Sequence, residues 1–373
     1  MRIDSSAWYA IQTTHGLDTP ALVIYPARVA RNIALLIASI DDLSRLRPHV
    51  KTHKSREATR LMLLAGIRKF KCATIAEADM LAQCGATDVL LAYQPNEAKI
   101  GRLLDLITYY PDTTFSCLVD NPATARLLSD RAVTAERVVS VYVDLNVGMN
   151  RTGIAPDASA LDLYTLLATL AGVTPVGLHA YDGHIRTPDL ATRTAQCDEV
   201  FRPVLALRDA LLALDYPEPV IVAGGSPTFP IHARRSDVEC SPGTFIYWDK
   251  GYQALFAEQA FLPAALVVTR VISQPDATKL CLDLGHKSVA AECDLAQRVS
   301  FLNAPELQAI GQSEEHLVVE AGAGHPYQVG DVFYGLPNHI CPTCALYERA
   351  YTVENGSLSG EWLTVARDRR INY

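Results

Sequence analysis

From about residue 20 to about residue 245 the chain alternates short apolar runs with helical patterns, and nothing else in it constrains the fold as strongly. The runs fall at 21–25, 46–50, 70–73, 88–92, 114–119, 138–145, 176–180, 220–223 and 238–240. They are near-continuous in Val, Ile and Leu, as strands covered on both faces tend to be. Helical stretches such as 55–65, 76–84 and 96–109 lie between them. Strands alternating with helices imply parallel β-α-β units. About eight units in about 225 residues fit a closed α/β barrel of the (β/α)8 TIM type, with an open doubly wound sheet as the rival. After about residue 255 the apolar runs at 264–272, 279–284, 317–320, 331–334 and 350–353 are separated by turns. That texture predicts an antiparallel β domain. The expected division is a barrel at 20–250 and a smaller β domain at 251–373 that also takes residues 1–19.

A chain of 373 residues, 49% hydrophobic, is long enough for two such cores. Its formal net charge of −8 argues against nucleic acid as a partner, because phosphate backbones need basic patches. No stretch reads as a membrane span, and the first residues lack the apolar run of a signal peptide. Nine irregularly spaced cysteines predict mostly reduced thiols and a cytoplasmic protein.

The second apolar run leads into Arg47-Pro48-His49-Val50-Lys51-Thr52-His53-Lys54. Strand alternation puts His49, Lys51 and His53 on one face. Lys51 then falls at a strand's C-terminal end, where barrels of this type keep their catalytic groups. A partly desolvated lysine there suits an amine that condenses with an aldehyde. By itself the segment reads more readily as an ordinary basic turn, because such turns are common.

Seven segments in order resemble a known family: RPHVKTHKS (47–55), FKCATIAEADML (70–81), DLNVGMNRTGI (144–154), GLHAYDGH (177–184), AGGSPTF (223–229), ECSPGTFIYWDKGY (239–252) and PNHICPTCALYERA (337–350). Together they are similar to the fold type III pyridoxal-phosphate enzymes, in the D-threonine aldolase and D-serine dehydratase branch. The resemblance implies an alanine-racemase-like barrel with pyridoxal 5′-phosphate on Lys51. It implies Arg151 at the cofactor's phenolic oxygen, where a fixed guanidinium stabilises an oxyanion. Tyr181 resembles the tyrosine that meets the pyridine nitrogen, and His179 shares its face by alternation. The resemblance gives the phosphate to Ser226, Gly243 and Thr244, with Gly225 allowing close approach. Alanine racemases carry an arginine two residues before the position of Gly243. Here that position is Ser241, which counts against racemization.

In Pro337-Asn338-His339-Ile340-Cys341, an extended backbone would put His339 and Cys341 on one face, able to share an ion. Imidazole plus thiolate suits zinc, with manganese or magnesium as alternatives. A loop with a buried thiol and a capping histidine is the plainer reading. The branch's dehydratases use His-x-Cys and its aldolases His-x-Asp, so this ligand pair resembles the former and the chain's overall texture the latter. Cys344 reads as a core thiol, and nothing in the sequence places His316 near the ion. The expected activity is metal-assisted retro-aldol cleavage of a D-β-hydroxy-α-amino acid to glycine and an aldehyde. The alternative is dehydration to a keto acid and ammonia. A racemase or a non-catalytic cofactor-binding regulator is less favoured. The resemblance also implies a homodimer.

Overall fold

The computed structural model describes residues 7–369. It divides into two compact units. One takes in the chain up to Leu35, Thr52–Ala58 and Thr244–Arg367, and the other takes in Leu36–Lys51 and Thr59–Gly243. The expected break at residue 250 therefore falls a few residues late, and residues 20–35, expected in the barrel, side with the β-rich unit.

The first strand, β1 (Ala21–Ile24), accounts for part of that shift. It is not a barrel strand. It pairs antiparallel with Ala265–Ser273 and parallel with Arg349–Glu354. Ala21 and Val23 pack in one apolar cluster with Leu266, Val268, Tyr334 and Val353. A continuous apolar run specifies burial on both faces, but it does not specify which sheet the run joins.

The second unit holds β2 (Lys69–Cys72), β3 (Asp88–Leu91), β4 (Thr114–Val119), β5 (Val139–Leu145), β6 (Val173–Ala180), β7 (Val220–Ala223) and β8 (Val238–Cys240). All seven are parallel and lie in chain order, the arrangement expected of a TIM-type barrel. Leu90, Leu118, Tyr142 and Val222, one each from β3, β4, β5 and β7, form a buried cluster. The intervening helices start where their caps dictate. Thr74, Asn96, Asn121 and Asp189 each accept a backbone N–H of the first turn. Glu77 also reaches back to the Ala73 N–H, a variant of the capping box.

The run at 46–50, expected as a strand, forms no regular strand, yet it closes the sheet. Arg47 N–H donates to Cys240 O at 2.9 Å and His49 N–H to Pro242 O at 3.0 Å. On the other side Lys71 N–H donates to Pro48 O at 2.9 Å. Pro48 has no N–H to extend a ladder, and a 3-10 turn at Val50–Thr52 ends the extended stretch. Arg47, 1% exposed, anchors the segment through Asp88 at 2.5 Å and Glu239 at 2.7 Å. These two carboxylates open β3 and lie within β8 respectively.

The β-rich unit adds β9 (Ala265–Ser273), β10 (Lys279–Leu282), β11 (Val299–Phe301), β12 (Gln308–Gln312), β13 (Leu317–Glu320), β14 (Val332–Pro337), β15 (Arg349–Glu354) and β16 (Ser357–Leu363). With β1 they make a nine-stranded sheet, antiparallel except for the β1–β15 pair. The nine cysteines form no disulfide. Among the described residues no helix is long and apolar enough to cross a membrane.

Candidate active site

In the barrel unit one pocket gathers side chains from the C-terminal ends of the strands. His49, Lys51, Lys71, Asp144, Arg151, His179 and Tyr181 are among its lining residues. The 3-10 turn brings Lys51 there, and the Lys51 N–H donates to His49 Nδ1 at 3.3 Å. His53, expected to share their face, does not line the pocket. It is buried in the β-rich unit, edge-on to Tyr247 with ring centroids 6.4 Å apart. The turn at Val50–Thr52 breaks the alternation that the expectation assumed.

Three cations surround the Tyr181 ring. Lys51 Nζ lies 5.8 Å from its centroid, Lys71 Nζ 5.7 Å and the Arg151 guanidinium carbon 5.2 Å. Arg151 is presented by the loop after β5. There Asn146 accepts the N–H groups of Gly148 and Asn150, each at 3.1 Å.

A polar chain runs behind the pocket. Asp144 and His179 are register partners on β5 and β6, with Asp144 Oδ1 2.7 Å from His179 Nδ1. His179 Nε2 is 3.4 Å from Lys71 Nζ. Gln94 donates to the other Asp144 oxygen at 2.7 Å and to Asp120 at 3.0 Å. Burial and the Lys71 charge push His179 below its ordinary pKa, so the ring is neutral. Neutral His179 donates from Nδ1 to Asp144 and accepts at Nε2 from Lys71. Burial works against the Asp144 carboxylate, but the His179, Thr152 and Gln94 hydrogen bonds outweigh it and hold its pKa low. Burial, and then the charge of Lys51, bring Lys71 down to about 7. Neither Lys71 nor Asp144 was singled out from the sequence. A lysine inside a four-residue buried strand was the available signal.

The glycine-containing turns at Gly224–Ser226, after β7, and Pro242–Gly243, after β8, lie side by side. Gly243 N–H donates to Ser226 Oγ at 3.3 Å, so the loops after β7 and β8 are adjacent. Gly225 packs closely against Tyr181, where a Cβ would lie 3.0 Å from the ring edge. Nearby Ser241 Oγ is buried with no hydrogen-bond partner. An amine, an arginine, a ring and an orphaned hydroxyl beside two glycine turns fit the reactive, phenolic, pyridine and phosphate parts of pyridoxal 5′-phosphate. Thr244, expected at the phosphate, belongs to the β-rich unit, and its hydroxyl is 3.6 Å from Cys341 Sγ.

Beneath the first turn is a cluster that the sequence did not reveal. Asp182 accepts from Thr228 Oγ1 at 2.7 Å and from His232 Nε2 at 2.8 Å, and Cys197 Sγ is 3.5 Å away. Among the described residues this is the group of three whose ligand-type atoms converge closely. Arg235 donates to His232 Nδ1 at 2.6 Å and approaches Cys197 at 3.7 Å. The cation fixes the Nε2–H tautomer and opposes a metal ion. Thr228 Oγ1 also accepts the Gly225 N–H at 3.4 Å, linking the network to the turn.

The metal candidates lie in the β-rich unit. The extended stretch that the alternation argument assumed stops at His339, which N-caps a helix at Ile340–Leu346. His339 and Cys341 still hydrogen-bond through their side chains. Glu292 Oε1 is 2.5 Å from His339 Nδ1, and Thr52 Oγ1 is 3.1 Å from Cys341 Sγ. A carboxylate on one ring nitrogen is the usual orienting partner of a metal-ligating histidine, so the donor set fits a divalent ion. Cys344 is buried, as a core thiol should be, and His316 is exposed.

Comparison with known proteins agrees with this geometry. Residues 24–250 match the family model of the alanine racemase N-terminal domain, and residues 264–353 match a serine dehydratase domain. The D-threonine aldolase of an Arthrobacter species is 30% identical over 366 residues, covering 94% of this chain and 93% of its own. The D-threo-3-hydroxyaspartate dehydratase of Delftia sp. strain HT23 is 27% identical, covering 89% and 93%. The crystal structure of the D-threonine aldolase from Filomicrobium marinum superposes with a TM-score of 0.84 at 23% identity, covering 94% and 95%. The barrel, its lysine pocket and the family match define an alanine-racemase-like enzyme of fold type III, whose cofactor is pyridoxal 5′-phosphate. Within that class the chain belongs to the D-threonine aldolase and D-serine dehydratase-like family.

Proposed function

We propose that this chain is a metal-assisted lyase that cleaves D-β-hydroxy-α-amino acids of the D-threonine kind to glycine and an aldehyde. One observation carries the reading: Lys51, Arg151 and Tyr181 converge in the barrel pocket of a chain whose Arthrobacter relative is a D-threonine aldolase. Lys51 holds the cofactor, which when bound supplies the sink for the electrons of the bond that breaks. Arg151 faces its phenolic oxygen and Tyr181 its pyridine nitrogen. As a neutral partner the phenol leaves that nitrogen largely unprotonated, and this moderates the sink. His179, held by Asp144, keeps Lys71 and the ring side of the pocket in place. Gly225, Ser226 and Gly243 hold the phosphate with backbone N–H groups and the Ser226 hydroxyl. His339 and Cys341, with Glu292 behind the imidazole, hold a zinc or other divalent ion. Such an ion lowers the pKa of a coordinated hydroxyl and so favours cleavage of the bond beside it. The same reading makes the protein a cytoplasmic homodimer.

One feature favours a second outcome. Cys341 is a soft ligand that suits zinc, as in the branch's dehydratases. In that reaction the Lys51 amine removes the α-proton and hydroxide leaves from Cβ. Incubating the purified protein with D-threonine and D-serine separates the two. Glycine and acetaldehyde from D-threonine support the aldolase, and keto acid with ammonia supports the dehydratase. Formation of the mirror-image amino acid, or no turnover in the metal- and cofactor-loaded protein, rejects both.

A further inference from the structure

The pocket holds two lysines, and the proposed function uses one of them. Lys71 stands on β2 and is 2% exposed. Its ammonium has one polar neighbour within hydrogen-bond range among the described residues, His179 Nε2 at 3.4 Å. That neighbour carries no countercharge. Its other nitrogen is already committed to Asp144, so the ring is a neutral acceptor. No carboxylate lies within ion-pair distance of Lys71 among the described residues. A buried ammonium facing only a neutral acceptor is costly unless something else completes it. The depressed pKa of the group, about 7, expresses the same deficit, caused first by burial and then by the Lys51 charge. The side chain nonetheless lines the pocket beside Arg151, so two cations other than Lys51 meet at one ring. The Asp144–His179 pair fixes where the ammonium stands.

We propose that Lys71 is a second anion contact of this site: an anionic oxygen, from the bound cofactor or from the substrate's carboxylate, is the partner its ammonium lacks. The inference rests on the reading that Lys51 carries the cofactor. It adds a substrate- or cofactor-touching residue to that reading, with His179 and Asp144 as positioning residues behind it.

The test uses the full chain with Lys71→Met and Lys71→Gln in parallel, each checked for native circular dichroism. Cofactor-stripped protein is titrated with pyridoxal 5′-phosphate, the loaded protein's absorbance is followed against pH without substrate, and kcat and KM are measured with D-threonine. If the cofactor supplies the oxygen, the variants bind it about tenfold more weakly, because hydrogen bonds to charged groups are the strong ones. The midpoint of their absorbance change then moves up by about one pH unit, since a nearby cation disfavours protonation. If the substrate supplies it, both cofactor readouts stay at the wild-type values. KM then rises about tenfold with kcat nearly unchanged, the pattern of lost uniform binding. Either result supports the proposal. Wild-type values in all three readouts, for a variant that is folded, overturn it and leave the cofactor reading standing. Failure of the wild-type protein to take up the cofactor overturns that reading and this inference together.

Discussion

Lys71 offers a physical test at the scale of one residue, independent of turnover. Its folded-state pKa is about 7 against an ordinary 10.5. Between those values the unfolded chain binds a proton that the folded chain does not, so stability rises with pH across that window. Below about 7 both states are charged, and the stability lost on the way down does not return. The charged or titratable groups around it are Lys51, Asp144, Arg47, Asp182 and His179, with Arg151 and Tyr181 across the pocket. We expect the urea midpoint of cofactor-free protein to climb from pH 7 toward pH 10, and Lys71→Met to flatten the climb. Equal slopes for both proteins would show that the buried lysine is not titrating there. At this scale the sequence was legible where chemistry comes with a motif. Lys51, Arg151, His179 and Tyr181 all line one pocket, and Ser226 meets Gly243. Lys71, Asp144 and Asp182 were not legible, because their roles come from neighbours brought in by other strands. His53 was misread because a single 3-10 turn changed its direction.

Among the elements, the segment that closes the barrel matters most, because it delivers Lys51. Arg47 holds it, buried against Asp88 and Glu239, with Lys69 also on Glu239. Arg47→Met leaves Asp88 without its cation and Glu239 with Lys69 alone, and breaking such a buried pair costs about 3 kcal/mol. Chemical denaturation measures this, and a loss within about 0.5 kcal/mol, the range of an ordinary surface change, would show that other contacts close the barrel. The glycine turn after β7 is the second critical element. Gly225→Ala would push on the Tyr181 ring. We expect about tenfold weaker binding of pyridoxal 5′-phosphate with an unchanged melting temperature, from crowding confined to the turn. Unaltered cofactor affinity would remove the turn from the phosphate site. Strand existence was readable from the apolar runs, and seven of the nine runs before residue 245 are strands of the parallel sheet. Sheet membership was not. The run at 21–25 joins the other sheet, and the run at 46–50 bonds to both edges without forming a regular strand, since Pro48 interrupts it. The helix at Ile340–Leu346 was not read from the sequence, because His-x-Cys spacing suits an extended stretch as well as a capped helix start.

For the whole molecule, the cofactor proposed for the barrel unit and the metal proposed for the β-rich unit should be separable in solution. We expect a chelator to abolish turnover of D-threonine while the bound cofactor's absorbance persists, and added zinc or manganese to restore activity. Full activity in metal-stripped protein, verified by elemental analysis, would remove His339 and Cys341 from the reaction. The general division into barrel and β domain was legible because the period of the hydrophobic pattern changes near residue 255. The return of residues 7–35 to the β-rich unit was not, since it depends on long-range pairing alone. All of this requires the aldehyde of the cofactor to be joined to one particular amine. Borohydride reduction of the loaded protein, followed by peptide mass spectrometry, locates that amine directly. The phosphopyridoxyl group is expected on Lys51, and its appearance on Lys54 or Lys71, or on no lysine at all, would contradict the account.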